Sequence, residues 1–201
     1  MIKRIFISFL IFFVGSLFIQ IKAISYSSNP ESFISEVIEE AKVILSSSSP
    51  PEEKANKLSE IALKTVDVKG LAYYTLGKKR KEITPEELKK YESLFEKYFL
   101  KSFTSRLTDY SDPKINVLSS DVVNEKYTIV KTMLLKTDKR PEVKIDWRVY
   151  TKDPNNPLIR DLIIEGLSLA RTQKEEFASV LNANDNDINV LFSSLERFIE
   201  K

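Results

Sequence analysis

The sequence has no cysteine and no histidine, and only four glycines and one tryptophan among 201 residues. Without cysteine there is no disulfide, no thiol nucleophile and no thiolate zinc site. Without histidine the usual general base near neutral pH is missing, and with it the Ser-His-Asp arrangement of many hydrolases. No Gly-rich phosphate loop and no internal repeat is found. A surplus of one charge sign is missing as well. Lys and Arg number 31 against 29 Asp and Glu, and three of the cations (Lys3, Arg4 and Lys22) fall in the first 23 residues, which hold no acid. The other 28 cations face 29 acids, so the body lacks the concentrated basic face that nucleic acid requires. What is present, 42% hydrophobic and 30% charged residues, is ordinary for a globular chain with a real core.

The N-terminal stretch reads MIKR, then an apolar run over 5–19, then IKA at 21–23. A cationic start, an apolar centre and a small residue at the end predict a Sec-type signal peptide over 1–23. An uncleaved anchor is the competing reading, because the apolar run approaches the lower limit for a membrane span. Either one takes the body out of the cytoplasm, and the absence of cysteine is compatible with a periplasm. Residues 24–201 are then expected to form a single α+β domain: helices over about 29–110, a sheet over about 113–166 and closing helices over about 167–200.

Asn29 followed by Pro30 opens the first helix, with Phe33, Val37, Ala41 and Ile44 on one face. SSSSPP at 46–51 breaks it, and Leu58, Ile61, Ala62 and Thr65 mark a second helix. Residues 67–81 are less regular; Gly70 and Gly77 suggest short helical pieces and turns. Thr84, Pro85 and Glu87 start the strongest helix as a capping box, and Leu88, Tyr91, Phe95, Phe99 and Leu107 recur at helical spacing. That aromatic face either packs in the core or lines an apolar cavity.

The period then changes from 3.6 to 2. Residues 113–120, 125–136, 142–151 and 158–166 read as four strands of an antiparallel meander. In the third, Val143, Ile145, Trp147 and Val149 share one face, opposite Lys144, Asp146, Arg148 and Tyr150. The second is apolar on both faces, with Ile129, Met133 and Leu135 opposed to Val130 and Leu134, and is expected to be covered on both sides. Leu169, Gln173, Phe177 and Leu181 mark one closing helix and Ile188, Leu191, Leu195 and Phe198 another, separated by the cap-rich NANDND at 182–187.

Chemistry would have to rest on carboxylates, hydroxyls or lysines. Asp161 and Glu165, four apart in a strand, would lie about 13 Å apart, too far to act on one bond. Asp146 on the neighbouring strand could approach one of them, or all three are solvated rim charges. Ser168 sits two residues after Gly166, but Ala170 stands where a nucleophile elbow has its second glycine, so a helix N-cap is its simpler role. The run KKRK at 78–81 reads as a solvated turn or as a patch for an anionic headgroup or a partner. No catalytic or metal-binding set emerges.

Four stretches together carry a resemblance: the export signal, residues 73–110, EVKIDWRVY at 142–150 and DLIIEGLSLARTQKEEFASVL at 161–181. Their most specific pieces are Leu76-Gly77 followed by Thr84 to Glu87, the Leu107 to Tyr110 helix end, and Glu165-Gly166-x-Ser168-Leu169. From about residue 30 to the C-terminus the chain resembles the MlaC family, also called toluene-tolerance or organic-solvent-resistance auxiliary proteins. Pro157 and Arg160 depart from the family pattern, which usually has aromatics there, and KKRK replaces a segment that is often more aromatic.

The resemblance implies a non-enzymatic periplasmic phospholipid carrier with no cofactor other than its lipid cargo. Its partners would be an inner-membrane ABC transporter complex with a membrane-anchored lipid-binding subunit, and an outer-membrane lipoprotein complex. The implied fold is a twisted four-stranded antiparallel sheet, cystatin-like or nuclear transport factor two-like, wrapped by helices around an apolar cavity. Carried onto this chain, the cavity would be lined by Leu71, Tyr74, Leu76, Phe95, Phe99, Phe103, Val130, Leu134, Val143, Ile145, Trp147, Ile164, Leu167 and Leu169. The alternatives are an exported adaptor that binds a protein through its aromatic helix and holds no lipid, and a hydrolase using Ser168 or the strand carboxylates.

Overall fold

The computed structural model describes residues 25–108, 112–138 and 140–201. The expected signal peptide, and the Asp109-Tyr110 end of the family motif, lie outside the described residues. Helix α1 (Pro30–Ser46) starts where Asn29 Oδ1 accepts from the Glu31 and Ser32 amides at 3.1 and 3.0 Å. Lys54 of α2 (Pro51–Thr65) donates to the Leu45 carbonyl at 2.8 Å, which satisfies one of the free carbonyls at the end of α1. Helix α3 (Val68–Leu76) is capped by Asp67, whose Oδ1 accepts from the Gly70 amide at 2.8 Å.

Gly70 lies in the first turn of α3, one of the short helical pieces that the sequence suggested. A Cβ there would lie 2.6 Å from Asp67 Cγ, so glycine leaves room for the capping side chain. Gly77, at φ +60°, does end the helix and begins a 3₁₀ turn over Gly77–Lys81. Helix α4 (Pro85–Leu107) has the expected capping box: the Glu87 amide donates to Thr84 Oγ1 at 3.2 Å and the Thr84 amide to Glu87 Oε2 at 2.8 Å.

The sheet is an antiparallel meander of β1 (Ile115–Asn124), β2 (Tyr127–Leu134), β3 (Val143–Tyr150), β4 (Leu158–Ile164) and β5 (Leu167–Ser168). The sequence indicated four strands. The fifth arises because Glu165 and Gly166 take φ +49° and +83°, the conformation of a two-residue hairpin turn, so the chain folds back to pair Leu167 with Ile164 and Ser168 with Ile163. Only then does α5 (Leu169–Asn182) begin, followed by α6 (Ile188–Glu200), which Asp187 caps.

Two apolar cores form. The helical core gathers Leu71, Ala72 and Leu76 of α3, Tyr91 and Phe95 of α4, Phe177 and Leu181 of α5, and Leu191, Phe192 and Leu195 of α6. Within it the Tyr91 hydroxyl, wholly buried, meets Thr75 Oγ1 at 2.9 Å, and burial pushes the phenol pKa up. The second core packs Phe33, Ile34, Val37 and Ile38 of α1 and Ile61 of α2 on Val130, Val149 and Ile159 of the sheet. Val66, at the end of α2, touches both.

Candidate functional site

Phe95, Phe99 and Phe103 stand four residues apart on one stripe of α4 and form a stacked ladder. Their ring centroids are 6.3 and 5.8 Å apart, with planes inclined by 16° and 11°. Phe95 is enclosed by Tyr91 and Phe177 in the helical core, whereas Phe99 and Phe103 are half-buried. The ladder thus runs out of the core along the C-terminal half of the helix.

The sheet shows the same gradient. The register places Leu134 beside Val143, Thr132 beside Ile145, Val130 beside Trp147 and Thr128 beside Val149, all on one face. At the α1 end Val130 and Val149 are sealed, but Leu134, Val143, Ile145 and Trp147 are only half-buried, as are Leu162 and Ile164 across on β4. Helix α1 packs against β1 and β2, while α3 and α5 pack against β4. Wholly buried Thr132 anchors this region: its hydroxyl donates to the Ile145 carbonyl at 2.9 Å and accepts from the Trp147 indole N–H at 3.0 Å. The indole's polar edge is thus satisfied, and its apolar body remains partly exposed.

The fourteen residues expected to line one cavity occupy three settings. Leu71, Leu76 and Phe95 are packed in the helical core and Val130 in the sheet core, because their faces meet other elements directly. Phe99, Phe103, Leu134, Val143, Ile145, Trp147, Ile164 and Leu169 are half-buried. Tyr74 and Leu167 are open to solvent at 43% and 59% exposure, Leu167 because the hairpin turn carries it to the rim. Two surface depressions of about 200 and 310 Å³ are lined by Ser25, Tyr26, Phe33, Lys64 and 155–157, and by Val68, Lys69, Lys89, Glu92, Ser93 and Glu96. Neither includes any of the fourteen.

The polar groups singled out in the sequence serve the corner between sheet and α5. Ser168 caps that helix by accepting from the Arg171 amide at 3.1 Å, and donates its own proton to Asp161 Oδ2 at 2.6 Å. Asp161, 4% exposed, also accepts from the Ala170 amide at 3.0 Å and stands 3.6 Å from the Arg148 guanidinium. Glu165 does not share the strand with Asp161 as expected: it occupies the turn, where its carboxylate accepts from the Lys144 amide. Asp146 stands opposite Ile163, two residues along from Asp161, and is paired at 3.5 Å with Lys144. Among the described residues no group of acidic side chains is arranged to hold a metal ion.

Sequence reasoning did not name Leu162, and it marked Arg160 only as a departure from the family pattern; both trace to one bulge. Arg148 pairs with Asp161 but Val149 with Ile159, so Arg160 is an extra residue and the alternation reverses across it. The bulge sends Arg160 over the Tyr150 ring at 3.7 Å, with Nε 2.6 Å from Asp67 Oδ2 and a 3.0 Å bond to the Tyr127 hydroxyl. For Leu162 the available signal was the unbroken apolar run Leu162-Ile163-Ile164, which does not reveal its own phase.

A five-stranded antiparallel meander with helices packed against it, and an apolar sheet face left half-buried where that packing is incomplete, define an α+β fold. The family profile described as "MlaC protein" matches residues 32–197, and the chain belongs to that family. Among solved structures it is similar to the phospholipid-binding protein of Ralstonia solanacearum, determined in complex with a phospholipid. The two share 18% identity over 83% of this chain and 94% of that one, with a TM-score of 0.70. No curated protein sequence matches the chain significantly.

Proposed function

We propose that the chain is an exported, non-enzymatic carrier of single phospholipid molecules. In this reading it works in the periplasm between an outer-membrane lipoprotein complex and an inner-membrane ABC transporter with its membrane-anchored lipid-binding subunit, and so maintains outer-membrane lipid asymmetry. The observations that carry the proposal are two half-buried apolar surfaces: Leu134, Val143, Ile145, Trp147, Leu162 and Ile164 on one sheet face, and Phe99 and Phe103 on α4. Family membership, and the phospholipid held by the similar Ralstonia protein, support the choice of cargo.

The energetics suit such a site. Each methylene removed from water contributes about 0.8 kcal/mol, so two long acyl chains supply roughly 20 kcal/mol before the costs of ordering them. Aliphatic and aromatic surface is sufficient for this, and few headgroup contacts favour handover over selection. The cystatin-like description of the core belongs to the same reading.

Solvent extraction of the purified protein followed by mass spectrometry tests the proposal, with uptake from liposomes as the second arm. The expected result is about one phospholipid per chain. Absence of both co-purified lipid and uptake refutes it and favours the adaptor.

A further inference from the structure

The basic run left unassigned by the sequence acquires a setting in the fold. Lys78, Arg80 and Lys81 project exposed from the 3₁₀ turn after α3, and none has a carboxylate partner among the described residues; Lys79 alone is paired, 3.5 Å from Glu82. Two tyrosines of α3 adjoin them. Tyr74 is 43% exposed beneath the Lys174 ammonium, 5.0 Å from its ring centroid, and Arg80 lies 5.9 Å from the centroid of half-buried Tyr73. Glu92 of α4, which meets the Tyr73 hydroxyl, is also held by Lys69 at 3.4 Å.

We propose that this patch, Tyr73, Tyr74, Lys78, Arg80, Lys81 and Lys174, is a peripheral docking surface for a bilayer leaflet bearing anionic headgroups. Charge complementarity selects an anionic occupant. The aromatic component selects a bilayer over an acidic polypeptide, because tyrosine rings settle at headgroup depth while long cationic stems reach the phosphates. The cations sit on one short turn rather than in a rigid array of ion pairs, which suits a fluid layer of charge better than a fixed set of carboxylates. Tyr74 is thereby removed from the cargo site and given to the surface. The inference does not depend on the cargo: it concerns where the protein rests, not what it holds.

The test uses the exported protein as recovered from cells, its N-terminus read by mass spectrometry. Co-sedimentation is compared on vesicles of phosphatidylcholine alone and of phosphatidylcholine mixed with phosphatidylglycerol. Binding is expected to favour the anionic vesicles and to collapse at high salt, where the screening length shrinks to about 3 Å at 1 M. Combined Lys78→Glu, Arg80→Glu and Lys81→Glu is expected to lower partition by about 100-fold or more, and Tyr74→Ala to lower it less than the charge reversal does. The triple Lys/Arg→Gln variant gives a milder loss without introducing repulsion, and circular dichroism checks that each variant is folded. Equal binding to both vesicle types, or anionic binding that survives charge reversal in a folded variant, overturns the proposal. So does binding to soluble polyglutamate without binding to anionic vesicles, which would assign the patch to an acidic protein. Lipid content measured on the same variants is expected to match wild type; its loss together with vesicle binding would merge this surface with the cargo site and overturn their separation.

Discussion

Gly70→Ala should destabilise this protein even though it places the best helix former inside a helix. Alanine gains about 1 kcal/mol over glycine at an ordinary helical position. Here the new Cβ would lie 2.6 Å from Asp67 Cγ, so the carboxylate must swing away. That breaks the 2.8 Å cap on the Gly70 amide, worth about 1 kcal/mol. It also breaks the 2.6 Å bond from Arg160 Nε, worth about 1 kcal/mol once discounted for the pair's 29% and 18% side-chain exposure. The net expectation is a loss of about 1 kcal/mol, or about 2–4 °C in Tm. The same substitution made in an Asp67→Ala background meets no carboxylate, so its sign should reverse to a gain of about 1 kcal/mol. Urea denaturation followed by circular dichroism on the four proteins of this cycle measures both effects. Equal effects of Gly70→Ala in the two backgrounds would refute the steric argument, as would stabilisation in the wild-type background.

Three further outcomes are expected. Leu134→Asp or Trp147→Asp should lower lipid occupancy several-fold by mass spectrometry in protein that circular dichroism shows to be folded; full occupancy in both would remove the sheet face from the site. Thr75→Val should cost more than Tyr91→Phe, about 2 against about 1 kcal/mol by urea denaturation, because the first strands a wholly buried phenol while the second leaves the Thr75 hydroxyl bonded to the Leu71 carbonyl at 2.9 Å. Ser168→Ala should cost about 1 kcal/mol of stability through the lost cap while leaving lipid content unchanged, and a change in cargo without loss of stability would contradict its structural role.

The helix starts were legible in advance because caps are local: Asn29, Thr84 and Ser168 make the bonds their positions suggest. The aromatic stripe of α4 was legible in Phe95 and Phe99, which helical spacing puts in line; Phe103, which continues the ladder, came only with the family resemblance. How deep each would lie was not legible. Phe95 is sealed and Phe103 is not because of where α5 and α6 pass, which is a non-local fact. The same limit explains Leu71 and Leu76, whose apolarity is satisfied by other helices, and Tyr74, which the short helix turns outward. On the sheet, β3 announced its face by strict alternation, whereas the Arg160 bulge in β4 interrupts the period that would have disclosed Leu162. The fifth strand was hidden for a related reason. Gly166 marks a positive φ, but the pairing that follows depends on Glu165 adopting one too, at φ +49°.

Val66 and its bridge to Ile159 are the point through which the two cores meet, and the adjacent Asp67 amide bonds to the Ile159 carbonyl at 2.9 Å. This seam is not the sole tie between them: α3 and α5 also pack on β4, and Asp161 bonds Ser168 and the Ala170 amide at the α5 corner. Helices and sheet are thus riveted at several places, and a substitution at Val66 should weaken both cores together rather than loosen one of them.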